Sequence, residues 1–374
     1  MKGPSLRNSQ PPKPPKKALS AQPVIIKVNK SFMEGTTSAQ RSPVASDSSM
    51  TFFARLLRAR EATLVVMILA IGIALHLITG RFFTTPNLNA ISLGFATSAI
   101  MVFGMTAALV SGGFDLSIGS VFAMGGVTAA IAMRAGLPIP IGVLCGVGVG
   151  VLAGFINGLL ITKVQINPFI TTLGMMGIAR GVSLAVTEGS TLAGLPNEFY
   201  VYGQGKTLDI PNLILIALLV ILIGDLLMRR SAAFRQIYFV GGNEEAARLS
   251  GINVDRVKLG VYTLSGFLAA LAGVLSISRF TVADPGTGMG EELRIIAACI
   301  IGGCSLRGGK GTVIGGLFGL IFVGFINNGL ILLRVPVYWQ QLSMGVVLLL
   351  AVGFDTLSQR WQMRSRDKKK SRPA

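Results

Sequence analysis

Apolar residues run along this chain in long blocks with neither a polar stripe nor strict alternation. The blocks cover 62–79, 88–110, 117–135, 139–162, 168–187, 211–228, 259–279, 291–304, 312–333 and 337–355. A helix needs about 20 mostly apolar residues to cross ~30 Å of hydrocarbon. Backbone groups find no water partner in lipid, so such segments are helices or a closed barrel. The length of the blocks and the lack of a two-residue period predict helices. The expected fold is therefore all-α, a polytopic membrane helix bundle of about ten transmembrane helices. The third and eighth blocks are the weakest, being short or broken by glycine.

The polar residues between blocks predict orientation. Arg55, Arg58 and Arg60 precede the first block, and Arg360 and the residues after it follow the tenth. Arg229, Arg230, Arg235, Arg248, Arg256 and Lys258 fall between the sixth and seventh, and Arg307 and Lys310 follow the eighth. With ten crossings all of these share one side, which the positive-inside rule makes cytoplasmic. The segment 188–210 sets Glu188, Glu198 and Asp209 against Lys206, which suits the outside. Arg81, Arg134 and Arg334 are single exceptions. An echo, GFINGLLI at 154–161 and GFINNGLI at 324–331, lies in the fourth and ninth blocks. Two five-helix halves of opposite orientation, a common transporter plan, would place it so. A second echo, SGGFDLS at 111 and IGGCSLR at 301, does not share that register.

Composition agrees with a chain solvated by lipid. Hydrophobic residues make up 51% and charged residues 13%, with a mean hydropathy of +0.65. The 47 glycines suit close helix packing in a membrane. The net charge of +18 is concentrated at the ends. Residues 1–60 hold 11 Lys/Arg against 2 acids and residues 360–374 hold 7 against 1, giving +9 and +6, or +15 together. No aromatic residues interleave these cations as a nucleic-acid platform would need, so no nucleic-acid partner is expected. Residues 1–50, rich in Pro, Ser and Lys, lack a core-forming pattern and are expected to form a disordered basic arm. Residues 51–358 are expected to form the membrane domain, with 229–258 as its long cytoplasmic loop, and 359–374 a basic cytoplasmic tail. Met33 and Met50 are alternative starts to Met1, and no signal-peptide core precedes the first block.

The chemistry expected of the chain is sparse. Cys145, Cys299 and Cys304 are too few and too badly spaced for a metal site, and each is expected to be a small core residue. The single histidine, His76, sits in the first block and is expected to pack there. IGGCSLRGGKGT at 301–312 fails the phosphate-loop pattern. With Lys310 as its lysine, Cys304 and Gly311 stand where Gly and Ser/Thr are required. Arg180 in the fifth block is expected to snorkel outward, with contact to the pathway as the alternative. Glu291 and Glu292 open the eighth block, where a helix dipole favours them. Asp115 in SGGFDLSIGS is expected to act as an N-cap. Asp115, Ser117, Asn157 and Asn327 stand as candidate pathway or gate residues. No catalytic, cofactor or metal constellation is present, so no cofactor is expected.

A transporter-like body without an ATP site either draws its energy from a partner or is a passive carrier or channel. An intramembrane enzyme is a third reading, and the missing catalytic sets weigh against it. The stretch GGNEEAARLSGI at 241–252 bears on the choice. Glycines bound good helix formers, and Glu244 and Arg248 are spaced to pair across one turn. Ala247, Leu249 and Ile252 supply an apolar side. A short helix with such a face suits a groove on a partner.

GGNEEAARLSGINVDRVKLGVYTLSGFLAALAGVLSISR closely resembles the cytoplasmic loop and following helix of bacterial ABC-transporter permeases for monosaccharides, of the ribose, arabinose, galactose and xylose type. SGGFDLSIGS at 111–120, INPFITTLGMMGIARGVS at 166–183 and IIGGCSLRGGKGTVIGGLFG at 300–319 resemble the same family in the same order. The resemblance implies a permease dimer, of identical or different chains, in a bacterial inner membrane. It implies a cytoplasmic ATP-binding subunit and a periplasmic sugar-binding protein as partners. It also implies that the helix near 243–256 carries ATPase closure to the permease, with Asn243, Glu244, Glu245, Ala247, Arg248, Leu249, Gly251 and Ile252 as the coupling residues. A permease for branched-chain amino acids is the milder rival. The basic arm, Phe114 and Cys304 depart from the family pattern.

The loop charges predict the outcome of labelling in intact cells. A cysteine introduced at Asn197 should react with an impermeant maleimide from outside, while cysteines at Asn243 and Ser365 should stay unlabelled until the cells are opened. Labelling of Asn243 from outside would remove both the topology and the coupling role.

Overall fold

The structure is a computed structural model that describes residues 60–353 except 341, 344, 347, 348 and 351. The expected arm over 1–50 and tail over 359–374 lie outside the described residues. Helices follow in the order α1 (Arg60–Thr79), α2 (Thr85–Val110), α3 (Ile118–Arg134), α4 (Ile139–Thr162), α5 (Pro168–Thr187), α6 (Asn212–Arg230), α7 (Ala232–Gly242), α8 (Glu244–Leu249), α9 (Val254–Phe280), α10 (Glu291–Ile301) and α11 (Val313–Leu332). The described residues between 337 and 353 are helical as well. A hairpin of β1 (Lys206–Thr207) and β2 (Ile210–Pro211) precedes α6. The chain is thus an all-α membrane bundle, and α1, α2, α4, α5, α6, α9 and α11 are the 7 described helices of membrane length and apolarity.

Local sequence sets the helix ends. Proline occupies the first turn of α2, α4 and α5, where its missing N–H costs nothing. Asn167 accepts from the Phe169 N–H at 2.9 Å to cap α5, and Thr312 accepts from the Gly315 N–H at 2.9 Å to cap α11. α2 and α9 form the centre, with 78% and 72% of their most apolar stretches buried, against 17% for α1. The outer helices turn their apolar residues to what would be lipid. Cys145 is among these exposed residues, whereas Cys299 and Cys304 are buried as expected. His76 packs against Phe83, ring centroids 5.4 Å apart.

Water does not drive helix association inside a bilayer, so close packing must do so. Gly142, Gly146, Gly150, Gly154 and Gly158 recur every fourth residue along one face of α4. Four of them meet α9. Gly146 faces Val274, Gly150 faces Ala270 and Gly266, Gly154 faces the Tyr262 carbonyl, and Gly158 lies against Leu259. The two backbones approach so closely that no Cβ fits at Gly150 without displacing the Gly266 carbonyl.

α3 has 17 residues and α10 has 11, so α10 rises only about 16 Å, roughly half a bilayer core. Each follows an irregular segment that enters the bundle. Residues 111–117 leave the end of α2 and reach Ser265, near the middle of α9. Residues 281–290 leave the end of α9, and Glu291 then meets Ser98, midway along α2, at 2.7 Å. Non-helical backbone at this depth is tolerable because protein surrounds it. The second segment touches the first turn of α3, where Gly119 abuts the Gly288 carbonyl.

The two ends of the bundle differ. At the basic end, the glycine-rich turn 302–312 folds over the end of α2, and the Gly309 N–H donates to the Val110 carbonyl at 2.8 Å. Asp225 pairs with Arg229 at 2.6 Å and accepts from the Ile314 N–H at 3.4 Å, tying α6 to α11. At the far end, Leu192 bridges Ala283, and the Gly203 N–H donates to Ser278 at 2.9 Å. Arg180 does not snorkel freely there. Its guanidinium donates to the carbonyls of Pro285 and, at 2.9 Å, Thr287, so it clamps the 281–290 segment to α5.

Gly150→Leu should separate α4 from α9. Overpacking costs about 1–3 kcal/mol where neighbours can yield and more where the neighbour is backbone. Detergent-solubilised variant protein should elute largely as aggregate in size-exclusion chromatography, while Gly148→Leu, at a position with open space around it, should elute like wild type.

Candidate functional site

The stretch from Asn243 to Asn253 builds one small helix with a stop at each end. Asn243 accepts from the Ala246 N–H at 2.9 Å and so satisfies one of the helix's free donors. Glu244 and Glu245 occupy the first turn and Arg248 the last, matching the helix dipole. Gly251 takes φ +81°, a left-handed conformation that costs a residue with a side chain. The Gly251 N–H then returns to Arg248 and the Ile252 N–H to Ala247, both at 3.0 Å, closing a Schellman turn. Asn253 accepts from the Arg256 N–H at 3.0 Å and starts α9 at once.

The expected apolar side divides into two. Ala247 is buried with Val240 and Val254, and Ile252 packs beside them. Leu249 points the other way and is 86% exposed. Two residues apart on a helix means about 200° apart in direction, so 247 and 249 cannot share a face. Inward residues hold the helix down, and Glu245 and Leu249 are left outside.

Glu244 and Arg248 form more than the expected i, i+4 pair. Arg248 meets Glu244 and Asp255, each at 3.1 Å, and Lys258 meets Glu244 at 2.5 Å. Lys163 at the end of α4 reaches Asp255 at 3.3 Å. The five charges link α8, α9 and α4. Partial burial alone would raise the Glu244 carboxyl, but hydrogen bonds and charge from Lys258 and Arg248 outweigh it and hold the group below its ordinary value. The stability so gained is complete above the ordinary carboxylate range and is lost as pH falls through the depressed value. These pairs are largely exposed, so each contributes about 0–1 kcal/mol.

The second assembly lies in the interior. Asp115 is not the N-cap of α3, a place taken by Ser117 without a side-chain cap bond. Its carboxylate instead accepts from the Ser117 N–H at 3.0 Å, the Ser117 hydroxyl at 2.5 Å and the Ser265 hydroxyl at 2.5 Å. Asn157 on α4 donates to the Ser117 hydroxyl at 3.0 Å. All four residues are buried. Among the described residues, Asn157 Oδ1 and the Tyr262 hydroxyl beside them have no hydrogen bond of good geometry. Tyr262 lies so near Gly113 that no larger residue fits at that turn. Leaving a buried polar group unpaired costs about 1–3 kcal/mol, so two of them in one place call for an explanation.

The sequence-derived candidates therefore fall into two groups, at the basic surface and in the core. Asp115, Ser117 and Asn157 come together. Asn327 does not join them. It is half-buried on α11, and its neighbour Asn328 exchanges amide hydrogen bonds with Asn87 at 3.0 and 3.1 Å. Nothing in the sequence points to Ser265 or Tyr262, because a serine or tyrosine inside an apolar run carries no mark of what it faces.

Residues 87–352 match the family described as branched-chain amino acid transport system / permease component. The ribose import permease protein RbsC of Escherichia coli is 38% identical over 316 residues, covering 83% of this chain and 98% of that protein. The L-arabinose transport system permease protein AraH of Escherichia coli is 36% identical over 297 residues, 79% of this chain and 90% of that one. The autoinducer 2 import system permease protein LsrC of Photorhabdus luminescens is 34% identical over 299 residues, 79% and 89% of the two chains. No solved structure matches. Members of this family are transport permeases with no ATPase activity of their own. A membrane bundle with a capped helix at one end, matched across nearly the whole length of such proteins, belongs to the bacterial ABC-transporter permeases of the sugar-uptake type.

Proposed function

We propose that this chain is the membrane subunit of an ATP-driven importer that moves a monosaccharide across the bacterial inner membrane by alternating access. Its partners would be a cytoplasmic ATP-binding subunit, a periplasmic sugar-binding protein and a second permease chain. The similarity to the ribose and arabinose permeases favours a sugar. The observation that carries the reading is α8: capped at both ends, ion-paired to α9, and presenting Leu249 outward.

Ten crossings are the count that best fits the chain. The 7 long helices supply most of them, and α3, α10 and the helical residues of 337–353 supply the rest. Each short helix then completes a crossing with the irregular segment before it. The basic end would be cytoplasmic, with both termini on that side. An inverted repeat would pair α3 with α10 and α4 with α11. Gly154 of α4 seats α9, and Gly324 in the echoed sequence of α11 seats Phe95 of α2. Broken helices in corresponding places of two halves are where transporters of this plan bind their cargo.

The mechanical path follows from these contacts. Motion of the ATPase would pull α8, and the charges at Glu244, Lys258 and Asp255 would pass it to the start of α9. α9, an unbroken 27-residue helix, would move as a rod. Ser265 on that rod holds Asp115, so displacement of α9 would alter the entry to α3. The unpaired Asn157 and Tyr262 atoms suit a cluster that changes partners between two states.

Two variants test the path. Leu249→Ser touches nothing inside the chain, so yield and melting should match wild type. Burial of a leucine is worth about 1.5–3 kcal/mol, so ATPase association should weaken about ten- to a hundred-fold. Unchanged association, measured by interferometry on nanodisc-embedded protein, would remove α8 as the dock. Asp115→Ala leaves three donors without their acceptor, at about 1–3 kcal/mol for each buried one. It should lower the melting temperature and abolish uptake, whereas Asp115→Asn should keep part of both. Full uptake by Asp115→Ala would take Asp115 out of the gate.

A further inference from the structure

A cavity of about 370 Å³ opens at the far end of the bundle, between α3, α9 and the 281–290 segment. Its volume lies at the low end of the range for small-molecule sites. Phe122 and Phe280 bring aromatic surface to it, and Ser276, Asp284 and Thr287 bring polar groups. Among the described residues, neither the Ser276 nor the Thr287 hydroxyl has a hydrogen-bond partner. Asp284 uses Oδ1 to accept from the Gly286 N–H at 2.8 Å, and its Oδ2 is unbonded. Two hydroxyls, from α9 and the 281–290 segment, and a carboxylate oxygen from that segment thus line an otherwise apolar hollow.

We infer that this cavity is the station at which the permease itself holds a monosaccharide during import. A sugar ring has apolar C–H faces and a rim of hydroxyls. Aromatic rings suit the faces, and Ser276, Thr287 and Asp284 suit the rim, since a carboxylate accepts from hydroxyls and a hydroxyl gives or takes a bond. Arg180 fixes the polar wall in advance by binding the carbonyls of Pro285 and Thr287, so a ligand need not order that loop. The site also touches the gate. Gly288, next to Thr287, abuts Gly119, two residues beyond Ser117 of the Asp115 cluster. A ligand that bonds Thr287 differently in the two states therefore biases the entry to α3. The inference rests on the importer reading and adds to it that the permease, besides its binding protein, discriminates among sugars.

The test uses proteoliposomes holding the permease, its ATP-binding subunit and its binding protein, supplied with radiolabelled D-ribose, L-arabinose, D-xylose or D-galactose. Wild type should take up at least one sugar with stimulated ATP hydrolysis. Failure with all four, without stimulation, overturns the importer reading and this site with it. Given wild-type uptake, Thr287→Val should cut it at least about tenfold. Thr287→Ser, which keeps the hydroxyl, should restore uptake. Asp284→Asn should also lower uptake and change the ratio between two sugars that differ at one hydroxyl. Because the Asp284 side chain is exposed, that variant decides the matter if Thr287→Val fails to accumulate. Wild-type uptake and ratios in Thr287→Val and Asp284→Asn overturn the site. So does an equal fall in Thr287→Val and Thr287→Ser with ratios unchanged, which marks a purely structural residue.

Discussion

The close contact between α4 and α9 is the constraint on which the rest of this bundle depends. Glycines every fourth residue let the two backbones meet, and dispersion between them replaces the hydrophobic drive that lipid does not supply. Held in this way, α9 becomes the spine of the molecule. Its first turn carries the ion pairs to α8 and α4, its middle carries Ser265, and its last turns line the far cavity. None of those elements could be registered against another if the spine tilted.

The two irregular segments are the second consequence. A helix that stops halfway through a bilayer must find partners for its exposed backbone and polar groups. Residues 111–117 find them in Asp115, which turns three donors toward one carboxylate. Residues 281–290 find them in Arg180. Both solutions bury charge or polar atoms at depth, which is costly. That expense makes sense for parts that rearrange, since a fully apolar junction would have no second set of bonds to exchange. Asn157 and Tyr262, buried with unpaired atoms, mark where such an exchange has room to occur.

The sequence alone determined the helical class, the positions of the long apolar helices and the small helix at 244–249, but not α7. Hydrophobic length and caps are local properties, and the boundaries at Asn167, Asn243, Gly251 and Thr312 follow from side chains next to the backbone they serve. The family could be read as well, because its motifs are contiguous stretches. Tertiary structure decided what those local features face. It placed Ala247 inward and Leu249 outward, moved Asp115 from cap to hub, and set Arg180 on a loop about a hundred residues away. It also brought Ser276, Asp284 and Thr287 to one cavity. A serine in an apolar run looks the same whether it faces lipid, a carboxylate or an empty pocket. Only the packing of distant helices, fixed by glycines whose partners lie on another helix, distinguishes the three.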